Sequence, residues 1–125
     1  MEKKNLDWKH IGFAYHTTDY RYVADYKDGK WQEGYMSDSP NIVLNECAGI
    51  MQYCQEVFEG LKAYETADGR IVTFRSDLNA DRMYHSAERM EMPPFPKERF
   101  IEAVEKVVKA NEAWVPPYGS GATLY

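Results

Sequence analysis

Residues 53–90 constrain the fold most: they hold two short alternating segments, a reversal between them, and a helix directly after. In the first segment Leu61, Ala63 and Glu65 point one way, and Lys62, Tyr64 and Thr66 the other. In the second, 70–75, Ile71, Thr73 and Arg75 alternate with Val72 and Phe74. Successive strand residues face opposite sides of a sheet, so this pattern predicts an antiparallel hairpin. Ala67, Asp68 and Gly69 supply its turn, glycine because it takes positive φ without a steric cost. A helix over about 77–90 follows. Ser76 or Asp77 suits its start, since either side chain accepts a bond from the free N–H groups of the first turn. Leu78, Met83, Ala87 and Met90 give it an apolar stripe, and Pro93 and Pro94 end it.

A second helix is predicted over 97–113. Phe100, Val104, Val107 and Val108 share one side, with Glu98, Glu102, Glu105, Lys106 and Lys109 mostly on the other. Pro96 suits the first turn, where its missing N–H costs nothing. Glu102 with Lys106, and Glu105 with Lys109, stand at the favourable i,i+4 spacing. Upstream, 11–35 read as strand material, with one strand near 19–27, a turn at Asp28 and Gly29, and a return through Lys30, Trp31 and Gln32. Residues 36–50 open on a turn cluster, and 51–57 suit one or two helical turns. Residues 1–10 are polar and read as a flexible segment tied down by Leu6 and Trp8 at most. Residues 122–125 read as a strand entering a sheet.

The bulk numbers bound the function. A chain of 125 residues, 44% hydrophobic and 28% charged, fits one globular domain. The net charge is −5 and no basic tract occurs, which argues against a nucleic-acid surface. No stretch approaches the length of a membrane helix. Cys47 and Cys54 have no metal spacing, and the N-terminus lacks the apolar core of a signal peptide, so reduced thiols in a cytoplasmic protein are expected. His10, His16 and His85 form no metal-ligand set.

Read from the residues alone, two features suggest chemistry. Arg82 and Arg89 fall on nearly one helical face with Ser86 between them, and a guanidinium can grip phosphate or carboxylate through paired bonds. The competing reading is a solvated helix face. Tyr53, Phe58, Tyr64 and Phe13 can line an apolar pocket or fill a core, and spacing does not separate the two. Lys62 lies inside the central motif, but nothing in its surroundings marks it as a nucleophile.

VFEGLKAY at 57–64, TFRSDLNADRMYHSAERMEMP at 73–93, NEAWVPP at 111–117 and the terminal GATLY resemble the branched-chain amino acid aminotransferases. The resemblance runs from about Phe13 to Tyr125 and implies an α/β (α+β) fold. Specifically, it implies the small N-terminal domain of the D-amino-acid-aminotransferase-like fold, an antiparallel-rich sheet with two main helices. It implies pyridoxal 5'-phosphate as cofactor, a homodimer, and a larger C-terminal domain of the same chain as partner. The substrates would be small amino acids and 2-oxo acids: leucine, isoleucine or valine would give its amino group to 2-oxoglutarate. By resemblance Arg82 holds the cofactor phosphate, Phe58, Tyr53 and Phe13 line the side-chain pocket, and Tyr125 stands next to the substrate carboxylate site.

The departures from the family pattern are equally informative. The lysine that bonds the cofactor belongs to the family's larger domain, and Lys62 does not match it, so no catalytic residue is expected here. The arginine that follows the terminal LY in the family lies outside this sequence. Ser76 replaces the proline usual after FR, which alters a helix-start device rather than chemistry. Residues 11–125 therefore read as a small domain cut before the cofactor-lysine domain, inactive by itself. The rival expectation is a non-catalytic binding domain of the same fold.

Overall fold

The structure is a computed structural model and describes residues 2–125. The central hairpin forms as its alternation requires. Strands β5 (Ala63–Glu65) and β6 (Ile71–Thr73) pair antiparallel, with Ala63 opposite Thr73 and Glu65 opposite Ile71. The Thr66 N–H donates to the Arg70 carbonyl at 2.8 Å, and Gly69 stands at φ +79°. This is a three-residue hairpin loop whose last position is left-handed, which is why glycine sits there.

The strand expected over 19–27 divides in two. Strand β2 (Tyr26–Lys27) pairs with β3 (Lys30–Trp31) around Asp28 and Gly29, at φ +53° and +75°. Two positive φ values in a row make a tight turn that follows the strand twist. Strand β1 (Arg21–Val23) pairs instead with β4 (Tyr35–Ser37). Met36 and Ser37 thus belong to a strand, not to the turn cluster their neighbours suggest. Gly34 makes room for this pairing: a β-carbon there would lie 1.9 Å from the Tyr22 hydroxyl oxygen.

Helix α1 (Gly49–Tyr53) is shorter than 51–57 and starts earlier, because Cys54 turns left-handed at φ +52° and ends it. Helix α2 (Ser76–Arg89) has no side-chain cap from Ser76 or Asp77. Arg75 occupies the cap position in a left-handed conformation. Asp77 lies in the first turn and binds the Arg75 guanidinium at 2.8–3.3 Å. Its charge still favours the positive end of the helix dipole. Helix α3 (Lys97–Ala110) follows Pro96, and a 3₁₀ turn (Glu112–Trp114) takes up the rest of 97–113. Glu102 and Lys106 pair at 2.6 Å, whereas Glu105 and Lys109 form no pair among the described residues.

The result is a small α+β domain, with antiparallel strand pairs packed against α2 and α3. Asn111, 1% exposed, joins helix to sheet. Its amide donates to the Tyr20 carbonyl at 2.7 Å and the Val107 carbonyl at 2.9 Å, and its oxygen accepts from the Tyr20 N–H at 2.9 Å. On the free side of β5, Ala63 and Leu124 exchange backbone bonds of 2.8 and 3.2 Å, so the expected strand over 122–125 is reduced to a single bridge at Leu124, the one point where the C-terminal residues meet the sheet. The N-terminal segment is tied by lysines: Lys3 pairs with Glu65 at 2.6 Å and Lys4 with Asp19 at 2.9 Å. The buried side chains are small, Ala63, Ala80, Ala87, Ala113 and Val115 among them. An apolar cleft of about 620 Å³ remains between Tyr22, Met83 and Leu124 and the Phe100, Val104 and Val107 face of α3. Among the described residues no helix is long and apolar enough to cross a membrane.

Candidate functional site

Helix α2 carries two polar side chains three residues apart, Asn79 and Arg82, and that spacing sets them on one face. Both reach the loop before β5. The Asn79 amide donates to Glu59 Oε2 at 2.7 Å and to the Gly60 carbonyl at 3.0 Å. Arg82 donates from Nε to Glu59 Oε1 at 3.0 Å and from Nη2 to Glu59 Oε2 at 2.6 Å. This is a side-by-side guanidinium–carboxylate pair, the strongest form of charge-assisted hydrogen bonding between side chains. The two partners differ in burial: 9% of the Glu59 side chain is exposed against 61% of Arg82. The Arg82 guanidinium holds the Glu59 carboxyl below its ordinary range, against the opposing effect of burial, with help from Asn79.

Arg82, the residue expected to grip an anion, therefore already holds a carboxylate along one edge. Its Nη1 group takes no part in that pair. Arg89 is exposed and forms no ion pair among the described residues. Glu59 and Asn79 were not among the residues singled out from the sequence. The sequence carries only a weak signal for them: Asn79 stands three before Arg82 and so shares its helix face, but nothing local marks the FEG loop as what that face meets.

The expected aromatic wall is exposed. Phe13 is 91% exposed, Tyr53 83%, Phe58 79% and Tyr125 64%, so none of the four is core. Tyr64, the other aromatic weighed for such a pocket, is also exposed. Phe13 and Tyr125 come together, with ring centroids 6.0 Å apart. Tyr125 lies over Gly60, where an added β-carbon would meet its ring and hydroxyl at 3.6 Å. A continuous run thus links Phe13, Tyr125, Gly60, Glu59 and Arg82. Tyr53 and Phe58 join no ring pair among the described residues.

Lys62 is exposed at the rim of a second cleft, of about 580 Å³, beside Phe13, Trp114 and Tyr125. It stands between the two clefts and lines both. Cys47 and Cys54 are exposed free thiols. His85 faces Glu88 at 3.1 Å on the helix surface. Among the described residues no group of three or more His, Cys, Asp or Glu is placed to hold a metal ion.

No family model matches this sequence. Individual proteins do. The chain is 50% identical over 122 residues to a branched-chain-amino-acid aminotransferase of Haemophilus influenzae, covering 98% of this chain and 36% of that protein. It is 44% identical to the enzyme of the same name from Helicobacter pylori, with the same coverage. It is also 43% identical to the methionine aminotransferase BCAT4 of Arabidopsis thaliana, over 97% of this chain and 34% of that protein. The chain spans about a third of the length of the curated relatives it matches. Along nearly its whole length, then, it is homologous to a part of branched-chain-amino-acid aminotransferases.

Proposed function

We propose that this chain is the small domain of a pyridoxal-phosphate aminotransferase that moves the amino group of leucine, isoleucine or valine to 2-oxoglutarate. Branched 2-oxo acids and glutamate are the products. The observation that carries this reading is 50% identity over 98% of the chain to an aminotransferase of that name. The partners are a larger domain that bears the cofactor lysine and a second copy of the protein.

The residues present fit a phosphate ester. Arg82 offers a guanidinium whose Nη1 is unspent on Glu59 and whose side chain is open to solvent. Paired N–H donors of this kind suit phosphate oxygens. Pyridoxal 5'-phosphate, when bound, supplies the electron sink for moving the α-proton and the amino group. This chain's share is orientation and selection. Arg82 fixes the phosphate end. Phe58, Tyr53 and Phe13 form an apolar wall for an aliphatic side chain, and their high exposure here is what a wall facing a second domain requires. Tyr125, held against Gly60 and Phe13, presents its hydroxyl near the substrate carboxylate.

The test uses the protein that joins this chain to its larger domain. Glutamate formed from 2-oxoglutarate is measured with leucine, isoleucine, valine and methionine as donors. Turnover with the branched donors is expected. Turnover with methionine alone would move the assignment to the activity named for the Arabidopsis relative, and no turnover with any donor would leave the non-catalytic binding domain. The 125-residue chain by itself is expected to give none.

A further inference from the structure

We infer that Glu59 is a positioning residue for the phosphate group: it clamps one edge of the Arg82 guanidinium so that the other edge is aimed outward at the anion. The inference rests on Arg82 being the phosphate-holding group and extends it to a residue with no role so far. A guanidinium has donors on two edges. Glu59 takes Nε and one Nη2 hydrogen, at 3.0 and 2.6 Å, which leaves Nη1 and the second Nη2 hydrogen directed away from the carboxylate. An arginine on an exposed helix face otherwise samples many rotamers and must be ordered when it binds; a prior clamp removes that cost.

The opposite role, a carboxylate that competes with the anion and leaves when it arrives, fits the geometry poorly. Glu59 is the shielded partner and Arg82 the exposed one. Glu59 is also held from behind by Asn79, whose amide bridges it to the Gly60 carbonyl. Departure would break the Asn79–Glu59 bond, leaving only the bond to the Gly60 carbonyl, so one amide hydrogen of Asn79, a residue only 6% exposed, would lose its acceptor. A fixed carboxylate behind and a free guanidinium edge in front is the arrangement of a clamp.

The experiment titrates inorganic phosphate into the cofactor-free protein that joins this chain to its larger domain, labelled with nitrogen-15 arginine, and follows the Arg82 Nε–H signal. In the unaltered protein that signal should be shifted from the free-arginine position and should move further with phosphate. In Glu59→Gln it should collapse to the free-arginine position, and the phosphate dissociation constant should rise roughly threefold or more. Glu59→Asp, which keeps the charge but withdraws the carboxylate, should fall between the two. Backbone amide dispersion reports whether each variant is folded, and Glu59→Asp decides the matter if Glu59→Gln is not. A folded variant that binds phosphate as tightly as the parent, or more tightly, overturns the positioning role. If phosphate leaves the Arg82 signal of the unaltered protein unmoved, the assignment of Arg82 itself fails and the clamp falls with it.

Discussion

Residues 59–116 and residues 38–58 are both well supplied with apolar side chains, yet only the first stretch builds an interior. Every buried residue described lies between Ala63 and Pro116. In 38–58 only Ala48, Gly49 and Val57 are half-buried, while Ile42, Val43, Leu44, Met51, Tyr53 and Phe58 stand 51–96% exposed. Pattern separates the two, not composition. In 59–116 the apolar residues recur at strand or helix spacing, so each element has one face to bury and a neighbour to bury it against. In 38–58 they run side by side around a five-residue helix, and the segment is held by polar ties such as Gln55 to the Met90 carbonyl at 2.9 Å. Apolar surface of this kind points to cover from outside these residues.

The contrast is open to attack at four points. The largest effect is expected at Asn111. Its replacement by alanine strips partners from both backbone groups of Tyr20 and should cost about 2–4 kcal/mol, read from urea midpoints. A change under about 0.5 kcal/mol would mean that the helix–sheet junction does not hold the built half together. Next is Val115→Ala, at a fully buried position, with an expected loss of about 1–3 kcal/mol by the same measurement.

Acid should then act on the built half through Glu59. Its folded pKa is depressed, chiefly by Arg82, so its stabilising contribution is complete above the ordinary glutamate range and is lost as pH falls through the lowered value. Lys3 depresses Glu65 and Lys4 depresses Asp19, so these carboxylates act with the same sign. Thermal midpoints should fall with decreasing pH in that window, and Glu59→Gln should flatten part of the slope. An unchanged slope would remove Glu59 from the account.

The smallest effect on stability is expected in 38–58. Val43→Asp, at a 96% exposed site, should shift stability by no more than about 0.5 kcal/mol. It should nevertheless reduce self-association and the binding of an apolar dye, both of which the unaltered chain is expected to show. A clean monomer at high concentration, with no dye binding, would break the idea that this surface is made to be covered.

What could be read in the sequence was whatever repeats at short range. The alternation over 61–75, the glycines at 29 and 69, and the apolar face of Phe100, Val104 and Val107 each follow from local sterics and local burial. The central hairpin, the tight turn and both helices appear where those patterns stand. Arg82 was legible as a candidate for a similar reason: its chemistry belongs to the residue type.

Tertiary packing alone decided what each element meets. No local rule pairs Arg21–Val23 with Tyr35–Ser37, because that register depends on a ring lying against Gly34. Cys54 and Arg75 take left-handed conformations that their side chains do not favour, held by the chain on either side. No local pattern marks Glu59 in the sequence. It became the shielded partner of Arg82 because folding brings the FEG loop onto the Asn79 face of α2, 20 residues further along the chain. Hydrogen bonds between side chains distant in sequence leave no periodic trace, so only the folded structure reveals them.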